Sequence, residues 1–141
     1  MGTIHRGNGG IAQPSWNEIP VRTYEGNNAQ GATKRVLIGE RDGASNFAIR
    51  YFEVPAGQSS AHESHPHDHG VVITRGRAKV LLNGELQDVC VGDVVYIGPD
   101  EEHRFDSLGP EPLGFICVVP AWGEKGGRSA LLTGAAGASA E

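Results

Sequence analysis

The spacing of apolar positions divides the chain into three stretches. Residues 1–35 carry scattered apolar residues among Gly, Asn and Pro, with no sustained period. From Val36 the pattern becomes a series of short runs: VLIG, NFAIRYFEVPAG, GVVITRG, RAKVLLNGE, LQDVCVGD, VVYIGPDEE, HRFDSLGPEP and LGFICVVPAW. Several of these alternate apolar and polar residues, favour branched and aromatic side chains, and end at Gly, Pro, Asn or Asp, which is how half-buried strands read. Asn83-Gly84 is a strong hairpin turn. No stretch between the runs holds a helical period. Seven or eight short strands punctuated in this way predict an all-β antiparallel sandwich or barrel. The expected organisation is a single domain with an N-terminal arm over 1–35, a barrel over 36–122 and a Gly/Ala-rich tail over 123–141. Trp16, Ile19 and Val21 are expected to pin the arm onto the body or onto a second subunit. His5 is expected to be solvated, and the tail to be poorly ordered unless it packs on a partner.

Composition supports this picture. Twenty-one Gly and eight Pro with 6% aromatics suit short strands and turns better than helices. A net charge of −5 argues against nucleic acid or a polybasic membrane surface as partner. No apolar run approaches the ~20 residues of a membrane helix, and the first residues lack a signal-peptide apolar core. Two cysteines, Cys90 and Cys117, are too few for a disulfide framework. The expectation is a soluble cytoplasmic protein with reduced thiols.

Candidate chemistry concentrates in one place. Four of the six histidines lie between His62 and His69, and His103 follows a Gly-Asp turn further along. Neutral imidazole is the commonest side-chain metal ligand. Pro66 interrupts any regular strand there. Accordingly, His65 is expected to end one strand, Pro66-His67-Asp68 to form a tight loop, and His69 to open the next strand. His65 and His69 then face inward and His67 points to solvent at the rim. By alternation, Val71 and Ile73 share the face of His69, and Phe105 shares that of His103. Phe115, Cys117 and Val119 form one face of the last run. On the opening run either Arg50 and Phe52 or Ile49 and Tyr51 look inward. An inward Arg50 would be a candidate anchor for an anionic substrate group, an outward one a partner for Glu53 or Asp106. In an apolar setting Cys117 is expected to be an inert packing thiol.

The stretch from Phe47 to Pro120 resembles the cupin superfamily. Its first motif reads Gly, five residues, His-x-His, three or four residues, Glu, six residues, Gly. Six residues lie between His69 and Gly76, which puts His69 in the Glu slot, and three lie between His65 and His69. The first His slot falls on Glu63, with His62 one position earlier. The second motif resembles Gly92 through His103 to Ser107, with Gly98, Asp100 and Ser107 standing where the family has Pro, Gly and Asn. The segment HPHDHGVVITRG is similar to small cupins that bind manganese or iron through four histidines. That resemblance implies a double-stranded β-helix (jelly-roll) and the ligands His62, His65, His69 and His103. A bulge near Ser64 would turn His62 inward; without it Glu63 would be the fourth ligand. One divalent metal is implied, iron or manganese first, with nickel, zinc or copper as alternatives. The implied pocket comprises Arg50, Phe52, Val71, Ile73, Phe105, Phe115, Cys117 and Val119.

The expected function is a metal-dependent oxygenase of the dioxygenase type acting on a small organic substrate. The alternatives are a cupin isomerase or lyase for a small oxo-acid or sugar acid, and a non-catalytic ligand-binding cupin. The exposed edges of a jelly roll suggest a homodimer by strand pairing.

Overall fold

Each β run carries one apolar side, and two sheets bury those sides against each other. The structure, a computed structural model, describes residues 2–10, 13–23 and 30–124. The expected tail beyond Glu124 lies outside the described residues. The strands are β1 (Arg22–Thr23), β2 (Thr33–Ile38), β3 (Phe47–Val54), β4 (His69–Arg75), β5 (Arg77–Leu82), β6 (Glu85–Cys90), β7 (Val94–Ile97), β8 (His103–Ser107) and β9 (Leu113–Pro120). One sheet has the order β1-β2-β3-β9-β4-β7 and the other β6-β5-β8. Their pairings are antiparallel, and the result is the expected all-β jelly-roll barrel.

Register decides which residues look into the barrel. Arg50 pairs with Cys117 and Phe52 with Phe115 across β3 and β9, and Cys117 pairs with Val71 across β9 and β4. Cross-strand partners share a face, so Arg50 and Phe52 are the inward pair of β3. Ala48, Phe52, Val54, Val71, Ile73, Val80, Phe105, Leu113, Phe115 and Val119 form one buried core. Tyr51 is also buried, but on the outer face, where Trp16 of the arm covers it at 5.7 Å between ring centroids. Ile19 is buried as well, so the arm folds back on its own barrel. Val21, by contrast, is 49% exposed. His5 is not the solvated residue expected: its Nε2 lies 2.6 Å from Asp42 Oδ1. The reason is the short 3-10 turn Glu40–Asp42, which holds the Asp42 carboxylate toward the arm.

Two turns fix the hairpins. Asn83 and Gly84 both take positive φ, 51° and 85°, as the expected two-residue turn between β5 and β6 demands. Gly76, between β4 and β5, has φ 73°, and a Cβ there would stand 2.5 Å from the Pro112 carbonyl oxygen. Only glycine fits that corner.

Candidate metal centre

Three separate chain segments deliver the imidazoles. β4 begins at His69, immediately after the loop opened by Pro66. That loop is tied down from both sides: the Asp100 N–H donates to the His65 carbonyl at 2.7 Å, and the Tyr96 hydroxyl donates to Asp68 Oδ2 at 2.7 Å. Asp100 takes φ 61° where the family motif has glycine, a conformation that Asp tolerates better than most residues. The turn it belongs to leads directly into His103 at the start of β8. Glu63 and His103 exchange two backbone hydrogen bonds, 3.1 and 3.0 Å, which draws the segment before His65 onto β8. In consequence His65, His69 and His103 offer ligand atoms within 4.8 Å of one another. The three residues are only 8%, 7% and 4% exposed.

The second nitrogen of each ring is already committed. His65 Nδ1 lies 2.9 Å from the carbonyl oxygen of His67, and His103 Nδ1 lies 2.8 Å from that of Glu101. Carbonyl oxygens only accept, so both Nδ1 atoms carry the proton and both Nε2 atoms present a lone pair. His69 Nδ1 sits 2.9 Å from Cys117 Sγ, while its Nε2 is buried with no hydrogen-bond partner. A buried imidazole nitrogen without a partner is costly unless something absent from a bare protein binds it. Metal-ligating histidines have this outer arrangement, with the far nitrogen fixed by an acceptor. The donor set therefore fits a divalent metal held by His65, His69 and His103. Burial holds these rings neutral: it pushes His103 down to about 4 and His65 below its usual value. His69 is lowered most, by burial and then by the nearby Arg50 charge.

The other residues of the cluster take places that differ from those expected. His62 is outside: its Nε2 pairs with Glu102 Oε2 at 2.8 Å, and its Nδ1 lies 3.4 Å from Arg104 Nη1. No bulge at Ser64 turns it inward, because the Glu63–His103 bridge keeps the regular register there. Glu63 takes the inward place, with its side chain 7% exposed and Oε1 3.9 Å from His65 Nε2. His67 is not a rim residue. It is 4% exposed and stacks on His65 with centroids 3.8 Å apart and planes 4° apart. The loop after Pro66 curls back, and the short helical turn after β9, residues 121–124, closes over the ring. Trp122 meets it edge-on at 5.5 Å, and a Cβ on Gly123 would come within 2.8 Å of it.

Of the expected pocket residues, Phe115 stacks on Phe52 at 5.2 Å and on Phe105 at 4.7 Å within the buried core. Val71, Ile73 and Val119 are buried in the same cluster. Cys117 is not in the apolar setting expected, since Arg50 Nη2 donates to its sulfur at 3.1 Å opposite His69. Arg50 also pairs with Glu124 at 3.2 Å and lies 5.0 Å above the Phe52 ring. Two residues that sequence reasoning missed complete this corner. Lys34, fully buried, meets Glu124 Oε2 at 3.1 Å. The available signal was Lys34 at an inward position of β2, in register with Phe52; Glu124 had none, because it stands inside a Gly-rich stretch.

Known proteins share this architecture. The cupin domain model matches residues 50–119. A 1-methylthio-D-xylulose 5-phosphate methylsulfurylase from Rhodospirillum rubrum is 32% identical over 81% of this chain and 74% of its own. A solved cupin-2 domain structure from the same organism is 33% identical with a TM-score of 0.70, covering 78% of this chain and 74% of that one. The polyketide cyclase RemF from Streptomyces resistomycificus, 24% identical, shares the fold with a TM-score of 0.71 over 86% of this chain and 80% of its own. Sequence and barrel agree, and the chain belongs to the cupin family.

Proposed function

We propose that this cupin is a metal-dependent enzyme acting on a small, oxygen-bearing, anionic organic molecule. One observation carries the reading: three buried histidines converge with their Nδ1 atoms held by fixed partners. A divalent ion bound there supplies Lewis acidity and, if it is iron or manganese, one-electron chemistry. The protein supplies the rest. His65, His69 and His103 would hold the ion, and the stacked phenylalanines belong to the apolar core of the same barrel. Glu63 stands beside His65, placed to serve as a fourth donor or to take a proton from a substrate carbon or hydroxyl. Arg50 brings a cation to the inner face.

Between the two reaction classes, an isomerase- or lyase-type reaction on an oxo-sugar derivative has the better support. It uses a carboxylate near the ion and a buried cation, and the name of the R. rubrum relative describes a ketose phosphate as its substrate. The oxygenase reading is favoured by a donor set of three imidazoles, with the Glu63 carboxylate beside them, which would suit an iron or manganese ion.

Elemental analysis of protein purified without chelators is the first test. The expected result is near one equivalent of a transition metal, lost on His103→Ala and retained on His67→Ala. A protein that neither contains metal nor takes up manganese, iron, nickel or zinc would end this proposal. Loaded enzyme is then assayed with ketose phosphates without oxygen, and in parallel for oxygen uptake. Turnover only in the second assay would replace the isomerase or lyase reading by the oxygenase one.

A further inference from the structure

Lys34, Arg50, Cys117 and His69 lie on β2, β3, β9 and β4, four adjacent strands of one sheet. They form a polar stripe across an otherwise apolar inner face. At one end His69 belongs to the imidazole cluster. At the other, Lys34 and Arg50, 0% and 3% exposed, both bind the Glu124 carboxylate at 3.1 and 3.2 Å. Buried cations need a compensating anion. Here that anion arrives from outside the barrel strands, on the short turn 121–124, and is itself 15% exposed. On its outer side Glu124 borders a cavity of about 560 Å³ that also bears Arg22, Arg41 and Glu40.

From this we infer that Lys34 and Arg50 form an oxyanion subsite for the phosphate or carboxylate of the substrate, and that Glu124 occupies it in the ligand-free protein. This inference rests on the reading that the substrate meets a metal at His65, His69 and His103. A guanidinium and an ammonium converging on one carboxylate offer the fork and the point charge that bind a phosphoryl group. The cavity gives an anion a path to displace Glu124, with two cations, Arg22 and Arg41, against the one carboxylate of Glu40 at its wall. Arg50 Nη2 and His69 Nδ1 meet the same Cys117 sulfur at 3.1 and 2.9 Å, so the guanidinium of the subsite and the nearest imidazole are separated by little more than one sulfur atom. A small molecule carrying a phosphate reaches both, its other oxygens toward the histidines. Arg50 also touches the sulfur that orients His69, so the anion-binding and metal-binding ends share one link.

The arrangement makes a measurable demand. Tethered Glu124 competes with any free anion at an effective concentration of millimolar order or above. Removing its charge should therefore tighten anion binding by about tenfold or more, the reverse of what a loss of structure would do. The probe is inorganic phosphate, titrated calorimetrically and by thermal melting into full-length wild type, Glu124→Gln and Lys34→Met, with sodium chloride as ionic-strength control and acetate as carboxylate arm. Glu124→Gln should melt lower without phosphate and be raised by phosphate far more than wild type. Tighter binding of acetate than of phosphate would assign the subsite to a carboxylate. Lys34→Met, shown folded by circular dichroism, should lose the effect. Equal and weak phosphate binding by wild type and a folded Glu124→Gln would overturn the inference, as would undiminished binding by Lys34→Met. Manganese uptake measured on the same samples separates the two ideas. Intact metal binding with no phosphate response defeats the subsite alone, whereas phosphate binding without metal uptake defeats the metal reading.

Discussion

A ligand that must choose its rotamer and tautomer on binding loses affinity to that choice, and here the choice is already made for His65, His69 and His103. Two of the three restraints are backbone carbonyls, which no substitution removes. The third is the sulfur of Cys117, and it can be tested. Cys117→Ala should weaken metal binding about 10- to 100-fold, the usual cost of losing an outer partner of a ligating histidine. A competition titration against a metal-binding dye reads this directly, and unchanged affinity would show that packing alone orients His69. These roles were unequally legible in the sequence. His65, His69 and His103 could be placed through the resemblance to the cupin motifs, whose turn glycines set their register. His67 could not, since a loop after proline follows no period and its inward stacking depends on where the chain returns. Nor could the pairing of Lys34 with Glu124, as the two are brought together only by the folded barrel.

At the scale of elements, β3 to β9 were legible to within a few residues because most carry their own alternation and a terminating turn, whereas β1 and the first half of β2 lie in the stretch expected to be an arm. The corner between β4 and β5 shows how strictly such a turn is specified. Gly76→Ala combines a left-handed backbone with a Cβ against the Pro112 carbonyl, and should cost about 2–3 kcal/mol. Chemical denaturation would measure it; a loss under half that would mean the corner relaxes. The turn over residues 121–124 lay beyond sequence reasoning for the opposite reason. Gly-rich composition reads as a tail, yet glycine is what lets Gly123 lie against the His67 ring. Similarly, the arm carried no period, so its return onto Tyr51 could be expected only as one of two destinations for Trp16.

For the whole molecule, the interior histidines couple stability to acidity. Unfolded, each takes up a proton near the ordinary histidine value of 6.5; folded, His103 does so only at about 4 and His67 at about 3, chiefly because of burial. Between these limits the unfolded chain binds more protons than the folded one, so stability rises with pH. Metal-free protein should hold full stability above pH 6.5 and lose it progressively as the pH falls toward 4. Asp106 adds to the same trend only at its acid end: burial raises it, but hydrogen bonds from Arg104 and Ser59 hold it below 3.8. Melting temperatures across pH 4–8 would check this, and a flat profile from 7 down to 4.5 would contradict the neutral, buried state of the rings.

The edge-on contact between Trp122 and His67 has a practical consequence. One of the two tryptophans, Trp16, sits on the far side of β3 against Tyr51, while the other touches a ring stacked directly on His65. With Trp16→Phe, the remaining indole becomes a single fluorophore one imidazole removed from the centre. Filling that centre with a quenching ion such as copper, or lifting the turn from His67, would register as a change in its emission, so the chain carries its own optical probe of the state of its site.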